Sequence, residues 1–233
     1  MCALRAIIFD FDGVVADNEP VHFAMFQNVL AEIGIPLSES EYYAEYVGFD
    51  DKGCFRAVLA AHGRPAPQAL VDQLIANKAR AYLAHIEKHL VIFPGVQDLV
   101  RRAAARYRLA IASGALRHEI EYILDRAGLR GEFVHITSAE DVRHGKPEPE
   151  GYVHALQALS RLSNRPEPPL KAEDCLVIED SVPGIQAGHA AGMKVLAVSN
   201  THPVEALKDA EVVVSSLEHV DLDDVARRLW GNT

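Results

Sequence analysis

The sequence predicts an α/β protein, a parallel sheet covered by helices on both faces, with an all-helical insertion soon after the first strand. Short apolar runs rich in β-branched residues alternate with longer stretches of helical period. The runs show little polar alternation, as strands buried on both faces should. Only helical periodicity occurs between about residues 18 and 90. The first run, Leu4–Phe9, precedes that block. Inside it, Phe23, Phe26, Leu30 and Ile33 form one stripe ended by Gly34 and Pro36, and Val71, Leu74, Ile75, Tyr82 and Ile86 form another entered through Pro65 and Pro67. The chain returns to the alternating pattern near Phe93-Pro94-Gly95. Val96, Leu99, Val100, Ala103 and Ala104 then predict a helix, Leu109–Ala112 a strand, and Ile120, Ile123, Leu124 and Ala127 a helix closed by Gly128. Phe133–Ile136 reads as a strand and Tyr152, Ala155, Leu156 and Leu159 as a helix. Pro166, Pro168 and Pro169 predict a short irregular insertion over Asn164 to Lys171. Cys175–Ile178, Val195–Val198 and Val212–Val214 complete the strands.

Composition narrows the function. With 233 residues, 49% hydrophobic and 24% charged, the chain is neither disordered nor fibrous. No apolar stretch approaches a membrane span, and Asp10 and Asp12 interrupt the place where a signal peptide needs an apolar run. A net charge of −10 with dispersed Lys and Arg argues against nucleic acid. Cys2, Cys54 and Cys175 are scattered and odd in number, which argues against a disulfide scaffold or zinc cluster and for a cytoplasmic protein.

Parallel sheets bind ligands beyond the carboxyl ends of their strands, so the residues there are the informative ones. Asp10 and Asp12 follow the first strand, Ser113 the second, and Glu179 and Asp180 a later one; Lys146 lies in the loop before a helix. Four carboxylates in one crevice repel unless a hard cation sits among them, and an all-oxygen donor set suits Mg²⁺. Lys146 and the Ser113 hydroxyl then suit phosphate oxygens. Taken singly, these signals have plain structural readings. A D-x-D arises by chance, and Asp180-Ser181 before Pro183 serves equally well as a helix N-cap. Their joint order, at successive strand ends, has no such reading.

The ordered set Phe9-Asp10-Phe11-Asp12-Gly13-Val14, Ser113, Lys146-Pro147 and Glu179-Asp180-Ser181 resembles the haloacid dehalogenase superfamily. With Gly184-Ile185 and Ala187-Gly188 it is similar to the phosphoglycolate phosphatase and β-phosphoglucomutase branch. The resemblance implies a Rossmann-like three-layer core over 1–17 and 91–233 and a helical cap domain over 18–90. It implies a phosphatase acting on a small phosphorylated metabolite, of phosphoglycolate or sugar-phosphate type. Asp10 would be the nucleophile forming an aspartyl-phosphate, and Asp12 the general acid and base. Asp10, the Asp12 carbonyl, Glu179 and Asp180 would hold Mg²⁺. Ser113, the neighbouring Gly114 amide and Lys146 would hold the transferring phosphoryl.

The cap leaves alternatives open. His22 and Lys78 sit near positions where β-phosphoglucomutase-like proteins carry substrate-binding residues, but equally read as a surface histidine and a solvated lysine. Arg117 reads as a substrate contact or as part of a helix's first turn. The segment Gly48-Phe49-Asp50-Asp51-Lys52 has no arginine to clamp a second phosphate, and Asp51 there should repel one. A phosphomutase is therefore the second reading. A phospho-acceptor module resembling a bacterial receiver is the third, opposed by the helical block of some seventy residues.

Overall fold

The computed structural model describes residues 3–47, 49–89, 92–161 and 168–231. Among the described residues, six strands form one parallel sheet: β1 (Ala6–Phe9), β2 (Arg108–Ala112), β3 (His135–Thr137), β4 (Cys175–Glu179), β5 (Lys194–Val198) and β6 (Val212–Val214). Their order is β3-β2-β1-β4-β5-β6. The chain winds one way from β1 and the other way from β4, so the sheet has a topological switch point between these two strands. Phe9 is in register with Ile111 of β2 and Ile178 of β4, which brings the carboxyl ends of all three strands to one level.

Side-chain alternation builds the two flanking layers. Ile7 and Phe9 of β1, with Leu109, Ile111, Leu176 and Ile178, face α5 (Val96–Ala104), α6 (Arg117–Ala127) and α9 (Leu222–Trp230). Ala6 and Ile8, with Ala110, Val177 and Val195, face α7 (Glu150–Arg161) and α8 (Val182–Ala190). All four β1 side chains are fully buried, as the uninterrupted apolar run required. Gly128 ends α6 in a left-handed conformation at φ 65°, which costs glycine no Cβ clash.

The stretch after β1 holds α1 (Glu19–Glu32), α2 (Glu39–Glu45), α3 (Asp51–Ala61) and α4 (Gln68–His89), and no strand among its described residues. These helices have their own apolar centre, where Phe26, Leu30, Tyr42, Phe55, Leu59 and Leu74 meet. The entry and exit of this cap region lie side by side: Ala16 forms an antiparallel bridge with Ile92, and Phe93 N–H donates to the Val15 carbonyl at 3.2 Å. Met25, Tyr82 and Ile86 of the cap pack into the sheet's own core.

The expected boundary at 90 and 91 lies outside the described residues, as do Gly48, Cys2 and residues 162–167 of the expected second insertion. Residues 168–170 are irregular. Cys54 and Cys175 are buried free thiols. Among the described residues, no helix is long and apolar enough to cross a membrane.

Candidate active site

The switch point collects the acidic residues. Asp10 directly follows β1, and its backbone N–H donates to the Ile178 carbonyl of β4 at 2.9 Å. Lys146 reaches in from the loop before α7 and meets Asp10 Oδ2 at 2.6 Å and Glu179 Oε1 at 2.5 Å. Asp10, Glu179 and Asp180 offer carboxylate oxygens that all lie within 4.8 Å of one another, and all three residues are buried.

Their charges are unequal. Burial pushes the Asp10 carboxyl up to about 7 against the pull of Lys146, and Glu179 adds to the rise. Burial and the neighbouring Glu179 and Asp10 charges push Asp180 far above the carboxylate range. Glu179 alone falls below its usual value, because Lys146, Tyr152 and the Asp180 amide outweigh its burial. Two carboxyls whose charged forms are disfavoured by burial and by each other, beside a third whose charge is satisfied, make an arrangement a divalent cation relieves. The donors are all hard oxygens, so the residues fit Mg²⁺.

Glu179 is already fully engaged. Its Oε1 accepts from Tyr152 Oη at 2.8 Å as well as from Lys146, and its Oε2 accepts from the Asp180 and Ser181 amides at 2.9 and 3.0 Å and from Ser181 Oγ at 3.0 Å. Ser181 caps α8 by accepting from Gly184 N–H at 3.1 Å. The Asp180-Ser181 step thus caps α8 and also sits beside the other acidic residues of the cleft.

Gly13 lets Asp180 approach. Its φ is +77°, and a Cβ there would stand 2.0 Å from Asp180 Oδ2. The Asp12 side chain turns away from the acidic trio. It accepts from Asn18 Nδ2 at 3.1 Å, and its Oδ2 faces His22 Nε2 at 3.5 Å. Burial pushes the Asp12 carboxyl up, but the His22 and Asn18 contacts win and hold it below its ordinary value. Ser113 and Gly114, after β2, line the same cleft. Ser113 Oγ accepts from the Ala115 amide at 3.1 Å.

The solvated reading of Lys78 fails. Lys78 is fully buried, hydrogen-bonded to Asp51, 2.8 Å from His22 Nδ1 and 4.3 Å from the Phe26 ring centroid. The stripe of α4 contained the signal: Lys78 stands at i+7 from Val71, where an apolar residue was due. His22 is likewise no surface residue; it is 7% exposed and stacks on Tyr82. Burial and the Lys78 charge favour its neutral form, but Asp12 and Glu19 outweigh them and hold its pKa above the usual value. An ammonium has no lone pair to offer, so in the neutral ring Nδ1 accepts from Lys78 and the proton sits on Nε2, facing Asp12.

Arg117 is not brought to the cleft. Its guanidinium donates to the Ile136 carbonyl at 2.9 Å and to Asp141 at 2.5 Å, beside the edge strand β3. Asp51 does line the cleft; Lys78 pairs with its Oδ1, while its Oδ2 has no hydrogen-bond partner. The sequence reading did not single out Glu19, Tyr42 or Phe49, which line the cleft, or Tyr152 and Glu119, which support it from behind. Glu119 carried a signal, since it precedes Ile123 by four residues on the buried side of α6.

The cap is in contact with the core loops. Asp50, which caps α3 by accepting from Gly53 N–H at 2.6 Å, sits against Gly114 and Gly145; a Cβ on either would lie 3.5 or 3.3 Å from it.

The model of a family described as haloacid dehalogenase-like hydrolase matches residues 4–192. Hexitol phosphatase B of Escherichia coli (strain K12) is 28% identical over 230 residues, covering 95% of this chain and 96% of that protein. A phosphorylated carbohydrates phosphatase of Thermotoga maritima is 27% identical over 193 residues, covering 82% and 83%. In fold, the crystal structure of β-phosphoglucomutase from Clostridium difficile superposes with a TM-score of 0.85 at 21% identity, covering 97% of each chain.

Proposed function

Because the chain belongs to the haloacid dehalogenase-like hydrolase family, we propose that it is a Mg²⁺-dependent phosphatase that hydrolyses a small phosphate monoester, of sugar-phosphate or phosphoglycolate type, through an aspartyl-phosphate on Asp10. The observation that carries this is the Asp10–Lys146 contact at 2.6 Å inside the acidic trio at the switch point. The cap domain is assigned to 18–90 and the catalytic core to 1–17 and 91–233, in a cytoplasmic enzyme.

Asp10 attacks phosphorus, and the bond to the leaving oxygen breaks as the Asp10–phosphorus bond forms. Asp12 gives its proton to the leaving oxygen, then takes one from the water that cleaves the acyl phosphate and restores Asp10. Asp12 is held ionised in the resting site, so it takes up that proton as the phosphate dianion arrives and raises its pKa. Lys146 offsets the approach of carboxylate to phosphate, and the Ser113 hydroxyl and Gly114 amide receive the equatorial oxygens. Asp10, Asp180 and the Asp12 carbonyl would hold Mg²⁺, with Glu179 behind them keeping Lys146 and the Asp180 loop in place. When bound, the ion supplies charge neutralisation at the phosphoryl group.

The mutase reading draws support from the His22–Lys78 pair beside Asp12. Against it, Lys146 is the one lysine or arginine among the described residues lining the cleft, whereas a mutase passes through a doubly phosphorylated species. Incubation with β-glucose 1-phosphate and Mg²⁺ separates the two. We expect free phosphate, its release abolished by chelator and by Asp10→Asn, with that variant still folded by circular dichroism. Accumulation of glucose 6-phosphate without phosphate release would establish the mutase instead.

A further inference from the structure

We infer that the cap wall of the cleft is a charge filter, in which Asp51 and Glu19 admit phosphate esters with neutral or amino-bearing leaving groups and reject those carrying a second anion. The inference rests on the phosphatase reading and narrows its substrate class, separating polyol and sugar phosphates from acid phosphates such as phosphoglycolate.

The phosphoryl group must lie against Asp10 and Lys146, so the rest of the ester faces the opposite wall. That wall is formed by Glu19, His22, Phe26, Tyr42, Phe49 and Asp51. Asp51 is paired with Lys78 from behind, and among the described residues no lysine or arginine of this wall lines the cleft. Lys78, the nearest one, has no solvent exposure and does not line the cleft; its ammonium is held by Asp51 and His22, and its charge also answers to Glu119 on α6. Tyr42 donates its hydroxyl to Glu19 Oε1 at 2.5 Å, which orients that carboxylate; burial pushes its pKa up, although His22 and Tyr42 draw it down. A carboxylate or second phosphate brought here meets like charge at reduced dielectric, where such contacts are strongly disfavoured.

The same wall offers what a neutral polyol uses. Asp51 Oδ2 is a buried polar atom with no hydrogen-bond partner, and His22, whose Nε2 stands 3.5 Å from Asp12 Oδ2, lines the cleft beside it. Unpaired buried polar atoms are costly, and a ligand that satisfies them recovers that cost. Asp51 Oδ2 accepts from a hydroxyl or ammonium. Phe26 and Phe49 supply apolar surface for the carbon skeleton, as sugar-sized leaving groups require.

The test compares kcat/KM within two matched pairs of esters in the presence of Mg²⁺. Sorbitol 6-phosphate and 6-phosphogluconate are open-chain and differ at C1, alcohol against carboxylate. Glucose 6-phosphate and glucosamine 6-phosphate differ at C2, hydroxyl against amine. We expect 6-phosphogluconate to be at least about tenfold poorer than sorbitol 6-phosphate, a difference of about 1.4 kcal/mol, and glucosamine 6-phosphate to equal or exceed glucose 6-phosphate. Asp51→Asn keeps an oxygen for Lys78 while releasing its charge, and should narrow the first ratio by selectively raising turnover of 6-phosphogluconate. Glu19→Gln keeps the Tyr42 contact and should narrow it as well, so a misfolded Asp51 variant does not end the test. Equal turnover of sorbitol 6-phosphate and 6-phosphogluconate by the unaltered protein, or a ratio that neither variant moves, overturns the filter while leaving the phosphatase reading intact. Absence of phosphate release from all four esters removes both.

Discussion

Glu179 holds Lys146 at 2.5 Å from a position with no solvent exposure, while Lys146 holds Asp10 at 2.6 Å. The end of β4 therefore fixes the cation that serves the residue after β1. Lys146 has its pKa raised further above the usual value, because Asp10 and Glu179 outweigh its burial. Both Glu179 oxygens accept only, so Glu179→Gln must turn an amide donor toward either Lys146 and Tyr152 or the Asp180 and Ser181 amides. Breaking a buried ion pair costs about 3–5 kcal/mol. Urea unfolding should show a loss of that order, and phosphate release should fall by about two orders of magnitude or more. A variant as stable and as active as the parent would show that Glu179 does not position Lys146.

Gly13→Ala should uncouple metal binding from folding. The added methyl group would sit 2.0 Å from Asp180 Oδ2 at a φ of +77°. The backbone strain costs about 1–2 kcal/mol, which a protein of this size should survive. Displacement of Asp180 should weaken Mg²⁺ at least about tenfold, read as a rise in the Mg²⁺ concentration giving half-maximal phosphate release. An unchanged Mg²⁺ dependence would exclude Asp180 as a ligand.

Glu119 gives a pH signature. Burial raises its carboxyl from the ordinary 4.5 to about 7, although Lys78 and His22 draw it down. Between those two values the folded protein binds more protons than the unfolded chain at this residue. Its contribution to stability therefore falls as pH rises through that window and is least favourable above 7. A shift of this size corresponds to about 3 kcal/mol. Glu119→Gln should match the parent near pH 4 and unfold at higher urea than the parent at pH 8. If the variant's gain is the same at both pH values, Glu119 does not titrate in this window.

Arg117→Ala tests a residue that the fold withdrew from the cleft. Its pair with Asp141 is about one-third exposed, and such pairs contribute about 0–1 kcal/mol. KM for any hydrolysed ester should stay within twofold of the parent, a change of about 0.4 kcal/mol. A tenfold rise in KM would return Arg117 to the substrate.

The strands and the residues at their ends were legible because burial on both faces leaves an uninterrupted apolar signature, and because a crevice at strand ends needs residues of a definite type. Asp10, Ser113 and Glu179 could be placed by reading each run to its last residue. Lys78 carried half a signal: its place in the α4 stripe marks it as inward, but a lysine there becomes buried only when a partner such as Asp51 arrives from another helix, 27 residues away. Arg117 failed for the reverse reason. It stands four residues past Ser113, yet Asp141 and the Ile136 carbonyl compete for its guanidinium, and sequence distance carries no information about that competition.

The pairing of Ala16 with Ile92 has a consequence for modularity. No described strand of the sheet comes from the stretch between them, so excising it and joining the two ends by a short turn would leave every ladder from β3 to β6 connected in the same order. Met25, Tyr82 and Ile86 would go with the excised piece, and they help cover the face of the sheet that carries Ile7 and Phe9. A minimal version of this protein is thus simple to draw as a graph and demanding to make as a molecule: its designer must supply new polar cover for that face, or accept a domain that adheres to others of its kind.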